Sequence, residues 1–236
     1  MKGIELVEKY QQIWDEFKNS NLNKSTGSNQ DKLLDRGFVF EFDEGMKNID
    51  ILFIGINPSY AKGSISETHF YNKNDVETKS YFKPFNGIVK ELEENKNYNK
   101  KVTWSHLDML VFRETQQSYI ESELLKTEKG VDFVYKQLMV SKKILEYLNP
   151  KIIVVSNTSA RIFLGRDKFV KDKKEYGFWM NYDFEFDYEL GTDKIVKNNK
   201  IKSYAFFTSM LSGQRALDKG SRQRLVWHIN KVLTIP

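Results

Sequence analysis

Ile4, Leu6, Val7, Tyr10, Ile13, Trp14 and Phe17 recur at close to helical spacing, which predicts an amphipathic helix over residues 1–18. The polar run 19–31 has no periodicity and reads as a loop. A continuous apolar segment from Ile51 to Ile56 ends in Asn57-Pro58-Ser59, the pattern of a strand buried on both faces that runs into a sharp loop. Residues 61–81 are polar and turn-rich, and 86–94 place Ile88, Val89 and Leu92 on one helical face. A second apolar segment, Leu107 to Phe112, ends in Arg113-Glu114-Thr115 and reads as the next strand. Val131, Val134, Leu138, Leu145 and Leu148 make a helical stripe that Asn149-Pro150 stops. Ile152 to Val155 is β-branched and continuous, and Ser156-Asn157-Thr158-Ser159 then offers caps for a short helix ended by Gly165. Within 166–200, the alternation from Tyr182 to Tyr188 reads as an exposed hairpin insertion. Tyr204 to Phe207 is a fourth strand, and Arg222 to Leu233 a closing helix.

Strands alternating with helices predict an α/β fold: a three-layer α/β/α sandwich around a mainly parallel, four-stranded central sheet. With 236 residues, 40% of them hydrophobic, the chain has enough apolar surface for a core, and one domain over 1–236 is expected. An N-terminal helical extension of about 1–35 and the insertion of about 166–200 would decorate it. No apolar stretch approaches the roughly 20 residues of a membrane span. The charged, periodic N-terminus is unlike a secretory signal, so the expected location is the cytoplasm, away from membranes.

Zero cysteines exclude disulfides, thiolate nucleophiles and iron–sulfur clusters. His69, His106 and His228 are too far apart in sequence to form a local metal motif, and neither metal nor cofactor is expected. A net charge of +5 favours an anionic partner such as nucleic acid, although an AT-rich coding sequence also raises Lys usage.

Ligands of open parallel sheets bind outside the carboxyl ends of the strands. The loops there carry no Gly-rich phosphate cradle and no G-x-S-x-G elbow. Four segments in order resemble the uracil-DNA glycosylase superfamily, and within it the mismatch-specific uracil/thymine-DNA glycosylases. Gly55-Ile56-Asn57-Pro58-Ser59 is similar to that family's G-I-N-P-G, and Phe82-Lys83-Pro84-Phe85-Asn86 to its F-x-x-P-x-N. Leu110-Val111-Phe112-Arg113-Glu114-Thr115 is similar to L-V-x-R-x-T, and Ser209-Met210-Leu211-Ser212 to the S-x-L-S half of the final motif. The likeness runs over residues 50 to 230, and the missing cysteines agree with a branch that lacks a cluster. Two departures stand out. Phe207-Thr208 occupies the place of the family's His-Pro or Asn-Pro, and Ser59 that of a Gly, or of a Tyr in the strictly uracil-specific branch.

The resemblance implies a monofunctional DNA glycosylase that flips a pyrimidine out of double- or single-stranded DNA, cleaves its N-glycosidic bond and leaves an abasic site. Asn57 would be the catalytic residue, holding water through its carbonyl while the sugar takes on oxocarbenium character. Gly55, Ile56, Pro58 and Ser59 would line the base pocket with Phe82, Asn86, Phe207 and Ser209. Contacts to DNA are expected from Arg113, Ser212, Gln214 and Arg215, and from Lys219, Arg222 and Arg224 on the last helix. A monomer is expected.

Each assignment has a plainer counterpart. Asn57-Pro58 is also a turn, Phe82 also ordinary core, Arg113 also an ion-pair partner, and the last cluster also a solvated helix face; His106 and His228 read as structural. Substrates left open are uracil, mismatched thymine and 5-substituted cytosines such as those of phage genomes, where defence would be the role. A DNA-binding module without catalysis, recognising uracil or abasic sites, is the alternative that Phe207 motivates. A hydrolase of free nucleotides or nucleosides is a third.

Overall fold

The computed structural model describes residues 1–24, 32–61, 81–95, 100–167, 169–171, 174–176, 179–196, 200–211, 213 and 216–235. Ser212, Gln214, Arg215 and His69 lie outside the described residues. Contacts divide the chain into two compact units, one of Met1–Gly45, Ile56–Tyr71 and Asp108–Ile144, the other of Met46–Gly55, Asn72–Leu107 and Leu145–Pro236.

In the first unit, helix α1 (Gly3–Phe17) buries Leu6, Tyr10, Ile13, Trp14 and Phe17, the face its apolar spacing predicts. These residues pack into the core of this unit. Phe17 stacks on Phe133 with ring centroids 4.0 Å apart, Trp14 lies 4.9 Å from Phe38 and Tyr10 5.0 Å from Phe40. Such aromatic pairs are worth about 0.5–1.5 kcal/mol each beyond their buried area. Burial also pushes the Tyr10 phenol well above its ordinary pKa.

The predicted strand Leu107 to Phe112 is displaced. Strand β2 covers Trp104–Asp108, and Met109 to Phe112 continue as loop although all four are fully buried. Their backbone groups are satisfied outside a ladder: Leu110 N–H donates to Ile56 O at 2.8 Å, Val111 N–H to Gln137 Oε1 at 3.0 Å, and Ser141 Oγ to Met109 O at 2.8 Å. Apolarity here reports burial: scattered backbone and side-chain partners, with one isolated antiparallel bridge between Phe38 and Phe112, take the place of a continuous ladder.

The second unit holds a six-stranded mixed sheet flanked by helices, not the four-stranded, mainly parallel sheet expected. Strands β1 (Ile51–Gly55), β3 (Ile152–Val155) and β8 (Tyr204–Phe207) run parallel, with Ile51 opposite Ile152 and Ile152 opposite Tyr204. β2 flanks β1. The extra strands are the hairpin β6 (Phe184–Asp187) and β7 (Thr192–Ile195), since β7 pairs antiparallel with β8. Thr192 and Asp193 made this strand hard to see: both are buried, Thr192 Oγ1 donating to Ala205 O at 2.8 Å and Asp193 pairing with Arg166 at 3.2 Å. Pairing the hairpin with β8 satisfies an edge that would otherwise present bare N–H and C=O groups. The insertion also holds a separate two-stranded piece, β4 (Phe169–Lys171) with β5 (Lys174–Tyr176).

Ile51, Phe53, Ile152, Val154 and Phe206, on one face of the sheet, form a core with Phe85, Ile88, Val89 and Leu92 of α2 (Lys83–Glu93) and with Leu225, Ile229 and Val232 of α6 (Lys219–Leu233). Helix α2 starts earlier than its periodicity suggested because Pro84 sits in the first turn, where no N–H is needed. Asp218 caps α6, accepting from Ser221 N at 3.0 Å. Between these two helices come the short helix α3 (Ser118–Ser122), the long α4 (Glu128–Leu148) and α5 (Thr158–Leu164), the last capped by Asn157 and ended by Gly165 at φ +103°. Val131 does not join the buried stripe of α4; it is exposed, and Phe133 turns inward instead.

His106 sits in this second core, 1% exposed. It stacks on Phe85, and its Nε2 lies 3.3 Å from Tyr81 Oη. Burial lowers its pKa from the ordinary 6.5 to about 3. The unfolded chain therefore takes up this proton first as pH falls, so the stability His106 permits above pH 6.5 is lost progressively toward pH 3. Urea titrations of wild type and His106→Leu at pH 7 and pH 4 are expected to show the smaller acid loss in the variant; equal losses would contradict this assignment.

Candidate functional site

β1, β3 and β8 are parallel, so their carboxyl ends share one edge of the sheet. The chain leaves β1 through Ile56-Asn57-Pro58-Ser59-Tyr60, and in the first unit this loop is tied to residues 113–116. Glu114 N–H donates to Pro58 O at 3.0 Å. Tyr60 N–H donates to Thr115 Oγ1 at 3.1 Å, and the same hydroxyl donates to Tyr60 O at 2.8 Å. Two of the four segments that carry the family resemblance are thus brought together.

Asn57 is at the centre of this clasp. Its Nδ2 donates to Glu114 O at 2.6 Å and to Pro58 O at 3.0 Å. With both amide donors on carbonyl oxygens, the orientation of the side chain is set by chemistry, since a flipped amide would press oxygen against oxygen. Its Oδ1 is shut off from solvent and accepts no hydrogen bond among the described residues. A buried acceptor left without a donor costs about 1–3 kcal/mol, so it is the kind of atom a bound water or substrate group satisfies.

Beneath the clasp lies an ion pair that the sequence did not announce. Arg36 Nη1 reaches Glu114 Oε2 at 2.7 Å, with the two side chains 0% and 1% exposed, and also donates to Arg113 O at 3.3 Å. The other carboxylate oxygen, Oε1, accepts from Gln116 N at 2.8 Å. The Tyr60 ring lies 4.7 Å from the Arg36 guanidinium and 5.2 Å from that of Arg113. A usable sign existed: Arg36 stands among Leu33, Leu34, Phe38, Val39 and Phe40, and charges in such company are buried only when paired.

Arg113 itself turns inward. It is buried, with Nη1 on Arg36 O at 3.2 Å, which places it in this network. Ser59 is exposed.

The remaining expected site residues belong to the second unit. Gly55 closes β1 and is buried. Phe82 is 1% exposed and packs edge-on to Tyr81, Phe85 and His106; a base could stack on it only after core side chains moved, so in this structure it is core. Asn86 is half-buried in the first turn of α2, its N–H donating to Phe82 O at 3.0 Å. Phe207 is half-buried at the carboxyl end of β8, edge-on to Phe184 with centroids 5.3 Å apart and with the Arg166 guanidinium 5.9 Å away. Ser209, Lys219 and Arg224 are exposed, and Arg224 Nη2 donates to Ser221 Oγ at 3.3 Å. Arg222 is taken up by Glu91 of α2. Among the described residues no group of three or more His, Asp or Glu is gathered closely enough to hold a metal ion, and no helix is long and apolar enough to cross a membrane. No protein-family model matches the chain, and a search of curated proteins finds no match.

Proposed function

We propose that the chain is a monofunctional DNA glycosylase that hydrolyses the N-glycosidic bond of a flipped-out pyrimidine and leaves an abasic site. The observation that carries this reading is Asn57, its amide nitrogen fixed by two carbonyls and its carbonyl oxygen left to accept. An amide is a poor general base, so Asn57 contributes by placing a water rather than by deprotonating it, and the leaving base supplies much of the driving force. Extrusion of the base costs a few kcal/mol and is easiest at mismatched or distorted pairs. The motif order over residues 50 to 230 supports the same reading, and with it goes the α/β/α layering that the alternation of strands and helices suggests.

Duplexes carrying uracil, mismatched thymine or 5-substituted cytosine, incubated with the protein and then treated with alkali, should break at the abasic site. Ser59→Tyr discriminates among these substrates. If Ser59 faces pyrimidine C5, the bulky ring should abolish excision of 5-substituted bases and spare uracil; equal loss on both, or none on either, would remove Ser59 from that role. Phe207 favours the non-catalytic alternative, because a phenyl ring provides no hydrogen bond where relatives carry His or Asn. Selective, tight binding to uracil or abasic DNA without release of any base would establish that alternative.

Binding should weaken steeply with salt, as cationic side chains displace condensed counterions. Because Arg222 is engaged by Glu91, the double change Arg222→Ala with Arg224→Ala should lower the slope of log K against log salt by about one unit rather than two. An unchanged slope would take this helix out of the DNA footprint.

A further inference from the structure

We infer that the buried Arg36–Glu114 ion pair is a positioning device that aims Asn57, an inference that rests on the glycosylase reading above. Glu114 is held at four points. Its carboxylate takes Arg36 Nη1 and the Gln116 N–H, while its backbone N–H goes to Pro58 O and its carbonyl receives Asn57 Nδ2. The carbonyl that orients Asn57 therefore belongs to the same residue whose side chain is anchored by Arg36. Arg36 in turn spans Arg113 O and Glu114 Oε2 with one nitrogen, and Arg113 returns the contact to Arg36 O. Any rotation of the 113–116 backbone turns the Asn57 amide with it.

Stability alone does not account for the pair. Desolvating two charges offsets most of their attraction, and well-packed apolar residues of similar volume usually serve as well. Direction is what apolar residues cannot supply. A guanidinium set between a carboxylate and a backbone carbonyl fixes the 113–116 segment in one position, and displacements of about 1 Å in a reacting group cost about 10²-fold in rate. Arg36 and Glu114 do not touch the reacting atoms; they act through Asn57.

The test replaces the pair with apolar residues of similar size, Arg36→Met with Glu114→Leu, and reads three quantities. A folded variant with a melting temperature close to wild type, kcat for base release lower by about 10²-fold and KM unchanged is the expected result. Hydrogen exchange of the Asn57 side-chain amide, assigned by its absence in Asn57→Ala, is expected to be slow in the wild type and fast in the double variant. Wild-type kcat, or slow Asn57 exchange in the double variant, would overturn the inference. Should the wild type release no base from any duplex, the glycosylase reading fails by itself, and the exchange measurement still decides whether the pair holds Asn57. Should the double variant not fold, Glu114→Gln replaces it: its single carbonyl cannot serve both Arg36 and Gln116, so an approximately tenfold loss in kcat at constant KM is expected, and an unchanged kcat overturns the inference.

Discussion

Asn57→Ala is expected to lower base release by about 10²-fold or more while leaving DNA binding near the wild-type level. The substitution removes the acceptor proposed to place the water and both donor contacts that hold the loop, Nδ2 to Glu114 O and Nδ2 to Pro58 O. Each lost hydrogen bond is worth about 0.5–1.5 kcal/mol and two carbonyls lose their donor, offset in part because the orphaned Oδ1 disappears as well, so a loss of about 1–3 kcal/mol is expected. Asn57→Asp is the sharper companion. An ionised carboxylate has no donor for the two carbonyls and would meet them oxygen to oxygen, so the clasp should open and activity should not return. Full activity in either variant, measured by alkaline cleavage of a uracil duplex, would remove Asn57 from the mechanism.

Glu114→Ala is expected to have the largest effect on stability, about 3–5 kcal/mol, because it leaves the Arg36 charge buried without its carboxylate. For a protein of this size that corresponds to roughly 10 °C in melting temperature. The contrast with the apolar double replacement is the informative part: if the penalty comes from an uncompensated charge, removing Arg36 as well should recover most of it. Calorimetry on wild type, Arg36→Met, Glu114→Leu and the Arg36→Met/Glu114→Leu protein closes a cycle for the pair. A Glu114→Ala protein as stable as wild type would mean that the guanidinium finds other partners or water, and that the pair does not hold the loop.

Where the chain's apolar pattern was continuous, the elements were legible. Ile51 to Gly55, Ile152 to Val155 and Tyr204 to Phe207 are strands, and α1 buries the face its apolar spacing predicts. The pattern misled where burial was achieved without regular structure, as at Met109 to Phe112, and where a strand carried buried polar residues, as at Thr192 and Asp193. The site was legible in the same uneven way. Asn57 is singled out by the likeness of residues 55–59 to the family's G-I-N-P-G, and the structure sets it in the clasp with Glu114. Arg36 could not be assigned a partner, since Glu114 lies far along the chain and only the fold brings them within 2.7 Å. Phe82 and Arg113 show another limit: a motif position says which residue type occurs, and both side chains turn to the interior here.

The most direct test of the account is mass spectrometry of the free bases released when the intact protein is incubated with a panel of DNAs containing uracil, mismatched thymine, and hydroxymethylated or glycosylated cytosine. A free pyrimidine base released from at least one of these DNAs by the wild type, and lost with Asn57→Ala, is the predicted result. Absence of any free base across the panel, or equal release by the Asn57→Ala protein, would contradict it.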